Sequence, residues 1–349
     1  MTPLADLLVR RIRANGPITL ADYMAECLLH PQYGYYATRD PFGAPGDFTT
    51  APEISQMFGE LLGLCLAQAW LDQGAPARFT LAELGPGRGT LMADVLRATK
   101  GVPGFHGAAD VLMVEASATL RKRQRASLGD HPARWADHLP QGETPLYLLA
   151  NEFFDALPIR QFTRQPQGWA ETLIGIAQDR LSMGKSAAAP ISLLDHRLAD
   201  TKPGDVVELC PSAPALMESI ARQIEAHGGV ALILDYGDWT SRGDTFQALK
   251  AHQFADPLAE PGEADLTAHV DFAALAAPCK ACAYTTQGQL LTALGIHPRA
   301  ARIGQRLSGD ALTQHNAATH RLTAPAEMGR LFKALAVYPS YAPKPPGIA

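Results

Sequence analysis

Glu83, Gly85, Gly87 and Gly89 stand at alternate positions in the stretch Glu83-Leu84-Gly85-Pro86-Gly87-Arg88-Gly89-Thr90. An apolar run from Phe79 to Leu84 reads as a buried strand, and a helix opens near Thr90. Glycines at such a junction let the backbone come close to a ligand, because a Cβ would collide or forbid the dihedrals of the turn. The helix start then offers unpaired N–H groups and the positive end of its dipole. Together these features predict a nucleoside-type cofactor held on a strand–loop–helix unit.

The dinucleotide fingerprint G-x-G-x-x-G has two residues between its last glycines, whereas here a single residue, Arg88, separates them. Glu83, just ahead of the first glycine, would repel a pyrophosphate and suits a ligand that carries an amino group. S-adenosylmethionine fits, being a zwitterion at its methionine end and a cation at its sulfonium. A second strand, Asp110 to Ala116, carries Glu115 near its end, thirty residues beyond Gly85. A carboxylate there can bind both ribose hydroxyls. The plainer alternative is a tight strand-to-helix turn with a solvated Glu115.

The blocks Gly46-Asp47-Phe48-Thr49-Thr50-Ala51-Pro52-Glu53-Ile54-Ser55, Glu83 to Thr90 and Asn151-Glu152-Phe153-Phe154-Asp155-Ala156-Leu157-Pro158 resemble the MidA family of class I methyltransferases. Leu234-Asp235-Tyr236-Gly237 and Ala264 to Phe272 extend the resemblance through most of the chain, in order. It implies a Rossmann-like, doubly wound α/β sheet, S-adenosylmethionine as cofactor and, for the mitochondrial branch, methylation of protein arginine. Those mitochondrial members are assembly factors for respiratory complex I, so a complex I subunit is the implied partner.

In methyltransferases of this fold, residues just after the fourth strand (Pro145 to Ala150) face the methyl group. Asn151 there can offer a carbonyl and an amide, and Glu152 can grip a guanidinium by two parallel bonds. Phe153, Phe154 and Leu157 read as core residues, and Asp155 as a helix cap before Pro158. In the family the loop from Gly46 precedes a helix over the cofactor, so Thr49, Thr50 and Glu53 are candidates for its wall. Thr50-Ala51-Pro52-Glu53 also reads as a capping box with proline in the first turn. Asp235 is either a strand-end hydrogen-bonding residue or, with Tyr236, part of the acceptor side. His30, Tyr33, Tyr35 and Tyr36 form an aromatic lid or a packed loop.

Around these residues the chain divides into three regions. Residues 1–78 read as an N-terminal helical cap, with a helix from Leu4, one capped by Thr19 and one running from Thr50 past Trp70. Residues 79–240 alternate strand and helix, with strands near 79–84, 110–115, 133–136, 145–150 and 229–235. A β-hairpin is inserted at 160–184. Residues 241–349 read as a helical and loop region on the substrate side, with a proline-rich end lying extended on the surface. Hydrophobic residues make up 47% of the 349 and charged residues 19%, enough for a well-filled core. The net charge of −5 argues against a nucleic-acid surface. Arg121-Lys122-Arg123-Gln124-Arg125 reads as a solvated helix face. Five scattered cysteines point to a reducing compartment, and Cys279-x-x-Cys282 lacks a second pair to complete a zinc site, so no metal is expected. No eighteen-residue apolar run suggests a membrane span. The N-terminus shows neither a signal core nor an arginine-rich leader. The expected setting is therefore the bacterial cytoplasm, with the mitochondrial matrix for eukaryotic relatives. Two other functions fit the cofactor motif: a binding-only assembly chaperone, and a nicotinamide-dependent oxidoreductase.

Overall fold

A computed structural model describes residues 2–38 and 50–348. Its main sheet has seven strands along one path: β1 (Phe79–Leu84), β2 (Ala109–Val114), β3 (Arg134–Ala136), β4 (Leu146–Asn151), β5 (Gly229–Asp238), β6 (Cys282–Thr286) and β7 (Phe332–Val337). The spatial order is β6-β7-β5-β4-β1-β2-β3, with the two-residue strand Val270–Asp271 paired off this path against the end of β5. β1 to β5 run parallel, and β7 lies antiparallel between β5 and β6. Because helices cover both faces, every residue of β1 is buried and the strand reads as a continuous run. Phe79 and Leu81 pack on one side, with the helices Gln56–Asp72 and Thr90–Thr99. Ala82 and Leu84 pack on the other, with the helices Ala213–His227 and Phe272–Ala276.

The helix that follows the glycine loop is seated by close contact. A Cβ on Gly59 would stand 2.7 Å from Asp94 Cβ, and one on Gly63 would stand 2.9 Å from Val95 Cα. Those two glycines let Gln56–Asp72 press against Thr90–Thr99, which fixes where the N-terminus of the latter points.

Four expectations change. The helix expected from Thr50 is broken: Ala51–Ile54 ends at Ser55, which is extended at φ −157° and ψ 131°, and its hydroxyl accepts from Met57 N–H to start Gln56–Asp72. The inserted hairpin has a further strand, Arg160–Gln165, Gly168–Ala177 and Arg180–Lys185, because Gln178 and Asp179 both take positive φ and make a second tight turn. With Ile18–Thr19 and Val206–Leu209 these strands form a separate sheet. The N-terminal helices Pro3–Asn15 and Leu20–Leu29 pack on that sheet through Ile18 and Ile174. The region from 241 onward supplies β6 and β7, which complete the main sheet in addition to lining its end. The proline-rich tail is anchored too: Ile348 is in the core, and Cys65 Sγ donates to Pro346 O.

Candidate active site

Strand alternation places Glu83 on the face of Phe79 and Leu81, under the start of Thr90–Thr99. Its carboxyl is buried, the Met92 N–H is directed at it, and Oε2 has no hydrogen-bond partner. Burial pushes its pKa well above the carboxylate range, and Glu115 adds repulsion. Such a group is satisfied by an ammonium and by little else. Gly85, Gly87 and Gly89 take φ of +59°, +51° and +83°, left-handed values that glycine adopts without strain. At Gly85 a Cβ would also meet Phe153 Cδ2 at 2.8 Å.

Glu115 follows β2, where its Oε1 accepts from Ser117 N–H at 2.8 Å and its Oε2 from Gln124 Nε2 at 3.2 Å. Burial raises its pKa and these donors oppose the rise. The same Gln124 nitrogen donates to Gly87 O at 2.8 Å, and Gln124 Oε1 accepts from Trp135 Nε1 at 2.8 Å. One buried amide thus ties the glycine loop to the carboxylate beside it. Gln124 sits inside the basic run expected to be a solvated face, and it is fully buried. Its spacing gave a signal: Leu120, Gln124 and Leu128 lie four apart on one helix face, all buried.

The capping-box reading of Thr50 and Glu53 does not hold. Thr50 is the N-cap residue, yet its side chain makes no capping bond. Glu53 Oε1 instead accepts from the Thr90 hydroxyl at 2.6 Å, joining the short helix to the start of Thr90–Thr99. Thr49 and the preceding Gly46, Asp47 and Phe48 lie outside the described residues. Thr50, Glu53, Glu83, Gly85, Gly87, Asn151 and Glu152 line one cleft. Gly89 and Glu115 border it through Gln124.

The opposite wall begins where β4 ends in Asn151. Glu152 takes φ +51°, a left-handed value that costs a non-glycine residue about 1–3 kcal/mol. Neighbouring strands hold it there. Glu152 N–H donates to Leu234 O at 2.9 Å, while Asp235 Oδ2 accepts from the N–H groups of Phe153, Phe154 and Asp155 at 3.2, 3.0 and 3.2 Å. Asp235 is thereby the strand-end hydrogen-bonding residue of the two options. Glu152 Oε1 accepts from Ala51 N–H at 3.2 Å and from Asn151 Nδ2 at 3.1 Å. Burial, with the charge of Asp155, pushes its pKa up to about 7.

No helix follows Asp155, so it caps nothing; the chain enters the strand Arg160–Gln165 instead. Its side chain is 6% exposed, meets the Tyr236 hydroxyl and leaves Oδ1 unpartnered. Burial holds its pKa at about 6. Phe154 is core, and Phe153 and Leu157 pack against it. Of the two readings of the aromatic loop, packing prevails. His30 stacks on Tyr33, Tyr35 is fully buried, and the Tyr36 hydroxyl donates to Asp265 Oδ1 at 2.9 Å. The sequence reading missed Asp155, Tyr36 and Asp265 as members of this wall.

The sequence profile of the S-adenosyl-L-methionine-dependent methyltransferases matches residues 61–290. The mitochondrial protein arginine methyltransferase NDUFAF7 of Xenopus tropicalis is 35% identical, over 96% of this chain and 86% of that protein. The human protein of the same name is 38% identical over 79% of this chain and 68% of its own length. A crystal structure from Burkholderia thailandensis bound to S-adenosyl-homocysteine superposes with a TM-score of 0.81 at 28% identity, covering 96% of this chain and 91% of that one. These findings displace the nicotinamide alternative. Among the described residues no helix is long and apolar enough to cross a membrane.

Proposed function

Because the chain belongs to the family of S-adenosyl-L-methionine-dependent methyltransferases, we propose that its methyl acceptor is an arginine side chain of a protein partner, gripped by Glu152 with Asn151 beside it. The observation that carries this reading is Glu152 itself. A carboxylate held in a strained left-handed conformation, its Oε1 oriented by Ala51 N–H and Asn151 with a second buried carboxyl, Asp155, nearby, is well matched to a planar cation. The relatives named as protein arginine methyltransferases support the same acceptor.

The cofactor residues fit their ligand. Glu83, with its unpartnered buried oxygen, takes the amino end. Gly85, Gly87 and Gly89 let the backbone close on it, Glu115 takes the ribose hydroxyls, and Thr50 and Glu53 form the wall above. S-adenosylmethionine supplies a methyl on a sulfonium, whose C–S electron pair stays on sulfur as the N–C bond forms. A guanidinium has a pKa above 12, so no side chain here deprotonates it before attack. Glu152 and Asp155 instead fix the direction of the attacking nitrogen, a proximity effect worth about 7–11 kcal/mol in favourable cases. The nitrogen must shed one proton as it is methylated, and a carboxylate with a pKa of about 7 can receive it. By the same resemblance the partner is a subunit of respiratory complex I.

The test is Glu152→Gln, which keeps shape and removes charge. Calorimetry should give S-adenosylmethionine affinity within about twofold of the parent, while methyl transfer into arginine, read by mass spectrometry, falls by about 100-fold or more. Undiminished methylation by the variant would mean that the acceptor lies elsewhere. An unmethylated partner in cells carrying the parent protein would favour a binding-only chaperone.

A further inference from the structure

Beyond the carboxylates, the same end of the sheet carries a cavity of 590 Å³ whose chemistry is reversed. It opens where β5 ends at Gly237 and Asp238 and Lys333 stands second in β7, with His269 on one side and the segment from Pro325 to Leu331 on the other. Tyr236 separates it from the acceptor wall. The Tyr236 hydroxyl meets Asp155, while its ring packs edge-on against His269 and Phe332 with centroids 5.4 Å away in each case. One side chain therefore touches Asp155 at its tip and, along its ring, packs on His269 of the cavity lining.

Arg242, Arg330 and Lys333 line the cavity against two carboxylates, Asp238 and Glu327. Asp238 is already engaged by the Trp239 N–H at 2.8 Å and the Tyr284 hydroxyl at 3.4 Å. Arg242 is paired with Asp200 at 3.0 Å. Lys333 is the unusual group. It is 8% exposed, and its ammonium donates to Gly237 O at 2.7 Å and Leu331 O at 3.3 Å, two neutral acceptors. An ammonium has three protons, and this buried one is attracted by Asp238 across the cavity yet forms no ion pair with a carboxylate among the described residues. Burial accordingly pulls its pKa below the ordinary lysine value. Arg330 is exposed at the mouth. Trp239 and Leu331, 42% and 47% exposed, add apolar surface at the rim. In a chain of net charge −5, this is a local basic, partly apolar socket next to an acidic one.

We propose that this cavity receives an aspartate or glutamate side chain of the acceptor polypeptide, its carboxylate on Lys333 and Arg330, while the target arginine of the same segment enters the Glu152 wall. The proposal rests on the arginine reading above. A polypeptide residue spans about 3.3 Å, and with the rings of Tyr236 and His269, centroids 5.4 Å apart, between the two sites the acidic residue lies about three or more positions from the arginine. Substrate choice is then a matter of paired opposite charges on the two sides of Tyr236.

Synthetic peptides centred on arginine, with Glu or Gln at positions about three or more residues away, test this on the S-adenosyl-homocysteine-loaded protein by fluorescence anisotropy and on the active protein by methyl transfer. The Glu peptide should bind about 10-fold more tightly and show a KM lower by the same factor, with kcat alike for the two. Arg330→Glu, an exposed change, should erase or invert that preference. Lys333→Met, which keeps length and burial, should reduce it. Equal binding of both peptides to the parent protein, or a preference that survives both substitutions, would overturn the proposal. A third peptide, with Glu kept and the arginine replaced by lysine, separates the two readings. Glu-dependent binding without methylation of any arginine peptide would leave the cavity standing and remove the arginine reading.

Discussion

Glycines shape one wall of the cleft and carboxylates the other, and the chain assembles the two in different ways. The cofactor wall is local: Glu83, Gly85, Gly87 and Gly89 fall within one strand–loop–helix turn, and Glu115 comes from the adjacent parallel strand. Its left-handed residues are glycines, so the turn forms without strain. The acceptor wall is long-range. Glu152 and Asp155 are held by Asp235 and Leu234 from β5, bordered by Tyr236, and closed by Tyr36 and Asp265 from regions far apart in sequence. Its left-handed residue is a glutamate, so the conformation is imposed by neighbours rather than preferred. Local geometry suffices to hold a cofactor whose chemistry is fixed. The acceptor wall proposed above draws on elements that only the completed fold brings together.

The largest break in that comparison comes from the local wall. Gly87→Val puts a β-branched side chain at φ +51°, in a loop the cofactor must approach. Calorimetry should detect no S-adenosylmethionine binding, a loss of about 1,000-fold or more, while circular dichroism stays that of the parent. A folded variant with parental affinity would remove the glycine loop from the site. The next largest effect belongs to the other wall and is read by pH. Glu152 at about 7 and Asp155 at about 6 must be ionised to hold a guanidinium, so methyl transfer at saturating S-adenosylmethionine should fall about tenfold per pH unit from pH 7 to 6 and more steeply below that. Both pKa values are raised in the fold. The stability they confer is therefore full below the unfolded carboxylate range and is lost as pH rises through 6 to 7. Glu152→Gln should flatten both dependences; an unchanged rate profile in the variant would assign the titration to another group.

A third effect returns to the cofactor wall. Glu115→Ala removes a charged hydrogen-bond acceptor, and adenosine-containing ligands should bind about 10- to 150-fold more weakly. Parental affinity in that variant would leave Glu115 as a strand-end residue with no ligand.

The same contrast explains what could be read before the fold was known. β1, β4 and β5 were legible because buried parallel strands are uninterrupted apolar runs, here bounded by glycine or proline. Glu83 and the three glycines were legible as a strand–loop–helix turn because that pattern depends on spacing along the chain. The strands β6 and β7 were not: Cys282–Thr286 and Phe332–Val337 are short, and they enter the sheet only because β7 pairs with β5 from far away and β6 pairs with β7. Asp155 looked like a cap because Pro158 follows it, and no local cue shows that Asp235 takes its N–H instead. The break at Ser55 was hidden by a sequence that is helical on both sides of it.

Gln124 offers the finest test of the cofactor wall, since it was legible and yet passed over. Its side chain breaks an apolar stripe, and a buried amide on such a stripe needs partners at both ends. It has them: Gly87 O and Glu115 Oε2 at the nitrogen, and Trp135 Nε1 at the oxygen. Gln124→Leu keeps the bulk and removes these bonds, so the glycine loop and Glu115 lose their shared tether while each stays in place. Cofactor affinity should fall by about 10-fold, less than for Glu115→Ala, because the residue positions the binding groups without touching the ligand. A double-mutant cycle with Glu115→Ala distinguishes tethering from packing. If Gln124 acts by orienting Glu115, its loss should matter little once Glu115 is gone, with a coupling of about 1 kcal/mol in S-adenosyl-homocysteine binding. Strict additivity would mean that Gln124 stabilises the helix–loop contact alone, and the two halves of the cofactor wall would then be independent.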